Sequence, residues 1–258
     1  MSIEIVFFDI DGTLIDENKK TAKKTLQAIE QLKEKGIQVV FSTGRSPRHI
    51  VDVQKMFQID SYICFNGAFG FHQGETIFNH QLNLETLTKL MDDIKMKDHP
   101  IVYLNDEGCY ASVEQDKRIA TTFERLKEKQ PSFQPTIWKD KPIYQAYLYC
   151  LPEEQKVYEE SHPEIKFTRW HPYAVDINSY NMNKSIGVKS FLHHVQIDPK
   201  NAAAFGDHLN DLEMLQYVGY GIAMGDAIQE AKDRADFVTK PLKEDGIYYG
   251  LKHLGLIE

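Results

Sequence analysis

A chain of 258 residues, 42% hydrophobic and 26% charged, is long enough to bury a core without disulfides, which excludes peptide and small knotted scaffolds. Thirty Lys and Arg against 38 Asp and Glu leave a net charge of −8, the wrong sign for a phosphate-backbone binder, so no nucleic-acid partner is expected. No apolar stretch approaches the roughly 20 residues that span a bilayer, and the opening MSIEIVFFDI has no basic segment ahead of its apolar run. No membrane association and no secretion are expected. Cys64, Cys109 and Cys150 are far apart and form neither a CxxC pair nor a Cys/His cluster, which fits free thiols in a reducing cytoplasm. Nothing in the composition points to an obligate protein partner.

In chain order, residues 3–9 form an apolar run of strand length that is repeated at 37–42 and 61–65. Between the first two runs, residues 21–35 place Leu26, Ile29 and Leu32 at helical spacing, with Thr21 as N-cap and Gly36 as the stop. Ser46-Pro47 reads as N-cap and first turn of a second helix. The same grammar returns near the end: a helix at 184–195, strand 202–205, helix 209–217, strand 221–224, a helix from Ala227 and a short strand at 237–239. Near-continuous apolar strands separated by amphipathic helices predict an α/β, doubly wound, mostly parallel sheet built from residues 1–81 and 180–258.

Residues 82–179 read differently. Helices at 84–97, 116–128 and 153–161 alternate with strands at 101–104, 109–112, 143–151, 165–170 and 174–178, and Asp106-Glu107-Gly108 marks a tight turn. Strands adjacent in sequence predict an inserted antiparallel α+β domain. The Pro131–Pro135 stretch reads as a loop within it.

The chemistry concentrates at strand ends. Phe8-Asp9-Ile10-Asp11-Gly12-Thr13 closes an apolar strand with two carboxylates two residues apart, at the edge of a parallel sheet where ligands bind. Two like charges there call for a cation or a shared proton, and a hard, oxygen-liganded ion such as Mg²⁺ suits them. The second strand ends Ser42-Thr43-Gly44-Arg45, a hydroxyl with small neighbours whose amides can cradle a phosphate. Arg45 can touch phosphate or pair with an acidic neighbour. Gly206-Asp207-His208-Leu209-Asn210-Asp211 follows another apolar strand and sets Asp207, Asn210 and Asp211 on one helical face, while Lys184 opens the helix after the insert. Taken singly, these last features also fit helix capping or a solvated lysine.

Together, DxDGT, then Ser/Thr after the second strand, then Lys, then GDxxND resemble the four motifs of the haloacid dehalogenase-like (HAD) superfamily of aspartate-nucleophile phosphatases. The insert after the third strand is similar to that family's C2-type cap. Asn66-Gly67-Ala68 and Asp245-Gly246-Ile247 resemble habits of its Cof-like branch. One departure is Ser185, which follows Lys184 where glycine is frequent.

The resemblance implies an Mg²⁺-dependent phosphoric monoester hydrolase of small phosphorylated metabolites, sugar phosphates above all. Asp9 would attack phosphorus to give an aspartyl-phosphate, and Asp11 would serve as general acid and base. Asp9, the Asp11 main-chain carbonyl and Asp207 would hold the metal. Ser42, Thr43, Gly44, Lys184, the Ile10 amide and Asn210 would grip the phosphoryl group, with Asp211 in support. A phosphomutase, or a non-catalytic phosphate-sensing regulator, are the alternatives on the same fold. Within the insert, Trp170, His171 and Tyr173 are the expected specificity residues, because an aromatic with a polar tip can stack on a sugar face and hydrogen-bond its hydroxyls.

Overall fold

The protein is described by a computed structural model covering residues 2–258. Strand β1 (Ile5–Phe8) is the four-residue run IVFF, and every one of its side chains is fully buried, as a strand covered on both faces requires. Helix α1 (Lys23–Glu34) turns Ala28, Ile29 and Leu32 inward and leads to β2 (Gln38–Ser42). Its N-cap is Ala22 and not Thr21, and no side chain caps it; the Thr21 hydroxyl is buried without a partner. The helix expected at Ser46-Pro47 begins instead as a 3₁₀ turn (Pro47–Ile50) that passes into a short α2 (Val51–Phe57), and Ser46 Oγ makes no capping bond. Strand β3 (Tyr62–Cys64) follows.

A hairpin that the sequence reading left unassigned comes next: β4 (Phe69–His72) and β5 (Glu75–Asn79), running antiparallel. Its two-residue turn, Gln73-Gly74, has φ of 48° and 90°, the pair of positive values that matches the twist of the flanking strands.

The insert contains α3 (Leu84–Met96), β6 (Ile101–Leu104), β7 (Cys109–Ala111), α4 (Lys117–Leu126), β8 (Ser132–Phe133), β9 (Gln145–Tyr149), α5 (Pro152–Ser161), β10 (Ile165–His171) and β11 (Ala174–Ser179). Its six-stranded sheet has the order β10-β11-β9-β6-β7-β8. The stretch expected as a plain loop around Pro131 holds β8, which pairs in parallel with β7. Asn83 caps α3 and Asp116 caps α4, each accepting two backbone N–H bonds. Asn105 Oδ1 accepts from the amides of Glu107 and Gly108 at 2.9 and 2.8 Å, which fixes the turn between β6 and β7.

Alternation divides that sheet into two unlike faces. Leu87, Leu90 and Ile94 of α3 and Tyr158 of α5 pack on Ile101, Tyr103, Ala146, Leu148, Val175 and Ile177. The other face carries Gln145, Tyr147 and Tyr149 from β9 and Asp176 and Asn178 from β11. Helix α4 meets its Tyr149 end, where Thr122 Oγ1 and Tyr149 Oη lie 2.8 Å apart and the Phe123 ring is 6.3 Å from that of Tyr147.

Burial pushes the Asp176 carboxyl up to about 7, with the Gln145 and Trp170 side chains pulling the other way. A carboxyl that holds its proton more tightly folded than unfolded, where its value is about 3.9, makes stability fall as pH rises from about 4 through 7. Asp176→Asn should therefore leave the melting temperature nearly unchanged near pH 4 and raise it above pH 7. Thermal melts at the two pH values check this, and an equal shift at both would remove Asp176 ionisation as the cause.

The chain then completes the first sheet with α6 (Lys184–Val195), β12 (Ala202–Gly206), α7 (Leu212–Tyr217), β13 (Tyr220–Ala223), α8 (Gln229–Arg234), β14 (Phe237–Val238) and α9 (Gly246–His253). The segment before α7 that was expected to be helical from Leu209 is a 3₁₀ turn, Leu209–Asp211. The eight strands lie in the order β14-β13-β12-β1-β2-β3-β4-β5, parallel from β14 to β3. Phe191 of α6 meets Phe7 edge-on at 5.8 Å on one face, and Phe8 stacks on Phe205 at 5.0 Å on the other. Two compact units result: one from the chain's ends, up to Arg45, Ile50–Asn79 and Asn183–Glu258, and one from Ser46–His49 with His80–Met182.

Candidate active site

Phe8 is level with Phe41 on one side and Phe205 on the other, so the carboxyl ends of β1, β2 and β12 lie abreast. Asp9, Ser42 and the Gly206-Asp207 turn therefore share one edge of the sheet, the place where open α/β sheets bind ligands. Asp9 is 5% exposed, and its N–H donates to the Phe205 carbonyl at 3.0 Å.

Lys184, fully buried in the first turn of α6, reaches this edge and donates to Asp9 Oδ1 and to Asp211 Oδ1, both at 2.5 Å. Asp211 uses its other oxygen to accept from the amides of Asp207 and His208 at 2.9 and 3.0 Å. One carboxylate thus shapes the turn and aims the lysine. Burial pulls the Lys184 ammonium down, but Asp211 and Asp9 outweigh it and hold the group above its ordinary value.

Carboxylate oxygens of Asp9, Asp207 and Asp211 lie within 4.8 Å of one another. Burial pushes Asp9 well above the usual carboxylate range, Lys184 opposes this, and Asp211, Asp207 and Asp11 add to it. Asp207 is pushed up to about 6, by burial first and then by Asp211. With all three carboxylates ionised against one ammonium the pocket carries two negative charges in excess, which a divalent cation would balance. The turn beneath is fitted to Asp207: a Cβ on Gly12 would stand 2.3 Å from Asp207 Oδ2, and Thr13 Oγ1 donates to Asp207 Oδ1 at 2.8 Å. With Asp211 occupied by Lys184 and two amides, Asp9 and Asp207 are the carboxylates that fit a hard, oxygen-liganded ion such as Mg²⁺.

Asp11 does not turn into this cluster. Its carboxylate is clasped by Arg45, Nε to Oδ2 at 2.7 Å and Nη2 to Oδ1 at 2.5 Å. Of the two roles open to Arg45 in the sequence, the structure shows the acidic pairing. The Ser42 hydroxyl is fully buried and has no hydrogen-bond partner, and Thr43 is 1% exposed beside it. Asn210 is exposed and donates from Nδ2 to Asn66 Oδ1 at 3.0 Å. Ile10 is buried and Gly44 lies against the Asn66 carboxamide.

Trp170, His171 and Tyr173 belong to the other compact unit. Trp170 stands 5.2 Å from the Tyr147 ring, and its indole acts on the Asp176 carboxyl. His171 is 9% exposed and accepts from the Tyr173 amide, so it braces its own turn, while Tyr173 is exposed. Sequence reasoning passed over Gln145, Asp176 and Asn178 on the same sheet face as Tyr147. Gln145 Oε1 and Asn178 Nδ2 are buried without partners. The signal was there in the alternation, polar residues at 145, 176 and 178 interleaved with the core residues 146, 175 and 177.

Comparison with known proteins agrees with this geometry. The haloacid dehalogenase-like hydrolase family matches residues 6–251. The Bacillus subtilis (strain 168) protein YkrA, whose name places it provisionally among phosphatases, is 34% identical over 258 residues, covering 100% of both chains. A crystal structure of a hypothetical protein from Geobacillus kaustophilus HTA426 is 40% identical with a TM-score of 0.95, covering 99% of this chain and 100% of the other. The HAD subclass IIB sugar phosphatase BT4131 is 29% identical with a TM-score of 0.84, covering 98% of this chain and 100% of its own. The chain belongs to the haloacid dehalogenase-like hydrolases, in their Cof branch, and is a phosphatase.

Proposed function

We propose that the protein hydrolyses small phosphorylated metabolites, sugar phosphates foremost, through a covalent intermediate on Asp9, with Mg²⁺ as cofactor. The observation that carries this reading is the orphaned Ser42 hydroxyl beside the buried Asp9–Lys184–Asp211 array. A fully buried hydroxyl without a partner is costly, and a phosphoryl oxygen at this edge is the acceptor it lacks.

In the proposed reaction an Asp9 carboxylate oxygen bonds to phosphorus while the bond from phosphorus to the ester oxygen breaks. Asp11 gives its proton to the departing alkoxide, and in the second half it takes a proton from water as that water attacks the aspartyl-phosphate, releasing phosphate and restoring Asp9. Asp11 must leave Arg45 to act, and a phosphoryl dianion gives the Arg45 guanidinium another partner of the same geometry. Ser42, the Ile10, Thr43 and Gly44 amides, Lys184 and Asn210 grip the phosphoryl oxygens. Mg²⁺ held by Asp9, Asp207 and the Asp11 carbonyl would neutralise charge on the nucleophile and on the phosphoryl group.

The insert reads the leaving group in this proposal. The sugar phosphatase named above supports a polyhydroxylated substrate. Three free cysteines, two of them buried, fit a cytoplasmic setting. Among the described residues no helix is long and apolar enough to cross a membrane.

The test is a panel of phosphorylated metabolites with purified protein, with and without EDTA. Free phosphate from sugar phosphates that disappears with the metal is the expected result. Conversion of a hexose 1-phosphate to its 6-phosphate would show a mutase, and full activity in EDTA would overturn the metal's role. Alanine at Trp170, His171 or Tyr173 should reorder kcat/KM among sugar phosphates and change p-nitrophenyl phosphate turnover much less. A fixed substrate order with a lowered melting temperature would instead make them packing residues of the insert.

A further inference from the structure

The loop after β3 is wound in a costly way. Phe65 and Asn66 both have φ of 53°, two successive residues other than glycine in the left-handed region. Backbone of this kind persists only where the surroundings over-determine it, and it clusters at functional sites. The surroundings here are the pieces that would grip phosphate. The Phe65 amide donates to the Arg45 carbonyl and the Asn66 amide to the Thr43 carbonyl, each at 3.0 Å, so the loop is stitched to the Thr43-Gly44-Arg45 turn. A Cβ on Gly44 would come within 3.0 Å of Asn66 Oδ1 and 3.2 Å of Nδ2, so a glycine at 44 admits the Asn66 carboxamide. A Cβ on Gly67 would strike the Asn183 carbonyl at 2.1 Å, so a glycine at 67 lets the loop abut the cap of α6, whose first residue is Lys184. Asn66 Oδ1 accepts from Asn210 Nδ2. One loop therefore touches three separate segments that converge on the sheet edge.

We infer that Asn66 is a positioning residue for the phosphoryl site: its carboxamide holds the exposed Asn210 side chain in place, and its left-handed backbone ties that contact to the Thr43–Gly44 turn. The inference rests on the phosphatase reading above and adds a residue to it. Asn210 is exposed on the short 3₁₀ turn Leu209–Asp211, and its side-chain amide donates to the Asn66 carboxamide. Fixing it beforehand removes an ordering cost from phosphate binding.

Asn66→Gly separates the two parts of the claim, since glycine accepts the left-handed backbone freely and deletes only the carboxamide. With Mg²⁺ present and inorganic phosphate as the titrated probe, Asn66→Gly should weaken binding about tenfold, the scale of one lost hydrogen bond. Its melting temperature should stay close to that of the unaltered protein. Asn210→Ala should weaken phosphate at least as much, and the double variant should be no weaker than Asn210→Ala alone, because the first residue acts through the second. Losses that multiply, or wild-type affinity in Asn66→Gly beside a weakened Asn210→Ala, would overturn the inference and leave the phosphate site standing. Wild-type affinity in Asn210→Ala would overturn the inference together with the grip of Asn210 on phosphate. The unaltered protein supplies an independent reading: nitrogen relaxation of the Asn210 side-chain amide should report a group as ordered as the backbone, and averaging like that of other exposed asparagines would contradict the anchor.

Discussion

Asp9→Asn should abolish turnover while leaving the melting temperature near or above that of the unaltered protein. The amide keeps the shape of the side chain and removes a buried negative charge from a pocket that holds two others, Asp207 and Asp211, so folding has little to lose. Chemistry has much to lose, because an amide oxygen is a poor nucleophile and loss of a nucleophile costs several orders of magnitude in rate. Residual turnover above about 1% of wild type, after exclusion of contaminating phosphatase, would be incompatible with a covalent role on that scale. A large fall in melting temperature would instead show that the Lys184 pair to Asp9 is chiefly structural.

Lys184→Met should produce the largest loss of stability. The lysine is fully buried and bonded to two carboxylates that are themselves 5% exposed or less, so its removal leaves like charges facing each other in a dry site. Breaking a buried pair by deleting one partner costs about 3–5 kcal/mol, a large share of the margin of a typical domain. Denaturant unfolding at neutral pH measures it. Adding Asp211→Leu to Lys184→Met should recover part of the loss, since it removes one of the stranded charges, whereas further destabilisation would place the importance of Asp211 in its bonds to the Asp207 and His208 amides.

Much of the fold was legible because β1, β2 and β12 are buried almost throughout and so read as mainly apolar runs, β1 closed by Asp9 and β12 by the Gly206-Asp207 turn. The hairpin β4–β5 was not legible in the same way, since its strands are largely half-exposed and broken by Gly70; its one clear signal was Gly74 at the turn. The start of α1 at Lys23 escaped because no side chain caps it, so Thr21, a good capping residue by type, drew the boundary one residue early, whereas the turn expected at Pro47 does begin there but opens as 3₁₀ without a bond from Ser46 Oγ.

At the sheet edge, spacing brought out the residues that converge, but not how they pair. That Asp11 turns outward to Arg45 while Asp211 turns inward to Lys184 depends on rotamers and on the Gly206–Asp211 turn, which a linear pattern does not encode. Asn66 was visible as part of a motif and acquired a role only when its carboxamide was seen against Asn210 and Gly44. In the insert, the alternation of β9 and β11 separated two faces, yet only the packing of α3 and α5 on Ala146, Val175 and Ile177 shows that Gln145, Asp176 and Asn178 lie away from the core.

The covalent step on Asp9 is tested most directly by trapping it. Purified protein with Mg²⁺ and an active phosphate ester, acid-quenched during turnover and reduced with borohydride, should convert the acyl phosphate to an alcohol, so that peptide mass spectrometry finds homoserine at position 9 and aspartate everywhere else. The same treatment of Asp9→Asn should yield none. Homoserine at Asp11 or Asp207, or phosphate release at full rate with position 9 never modified, would contradict the account.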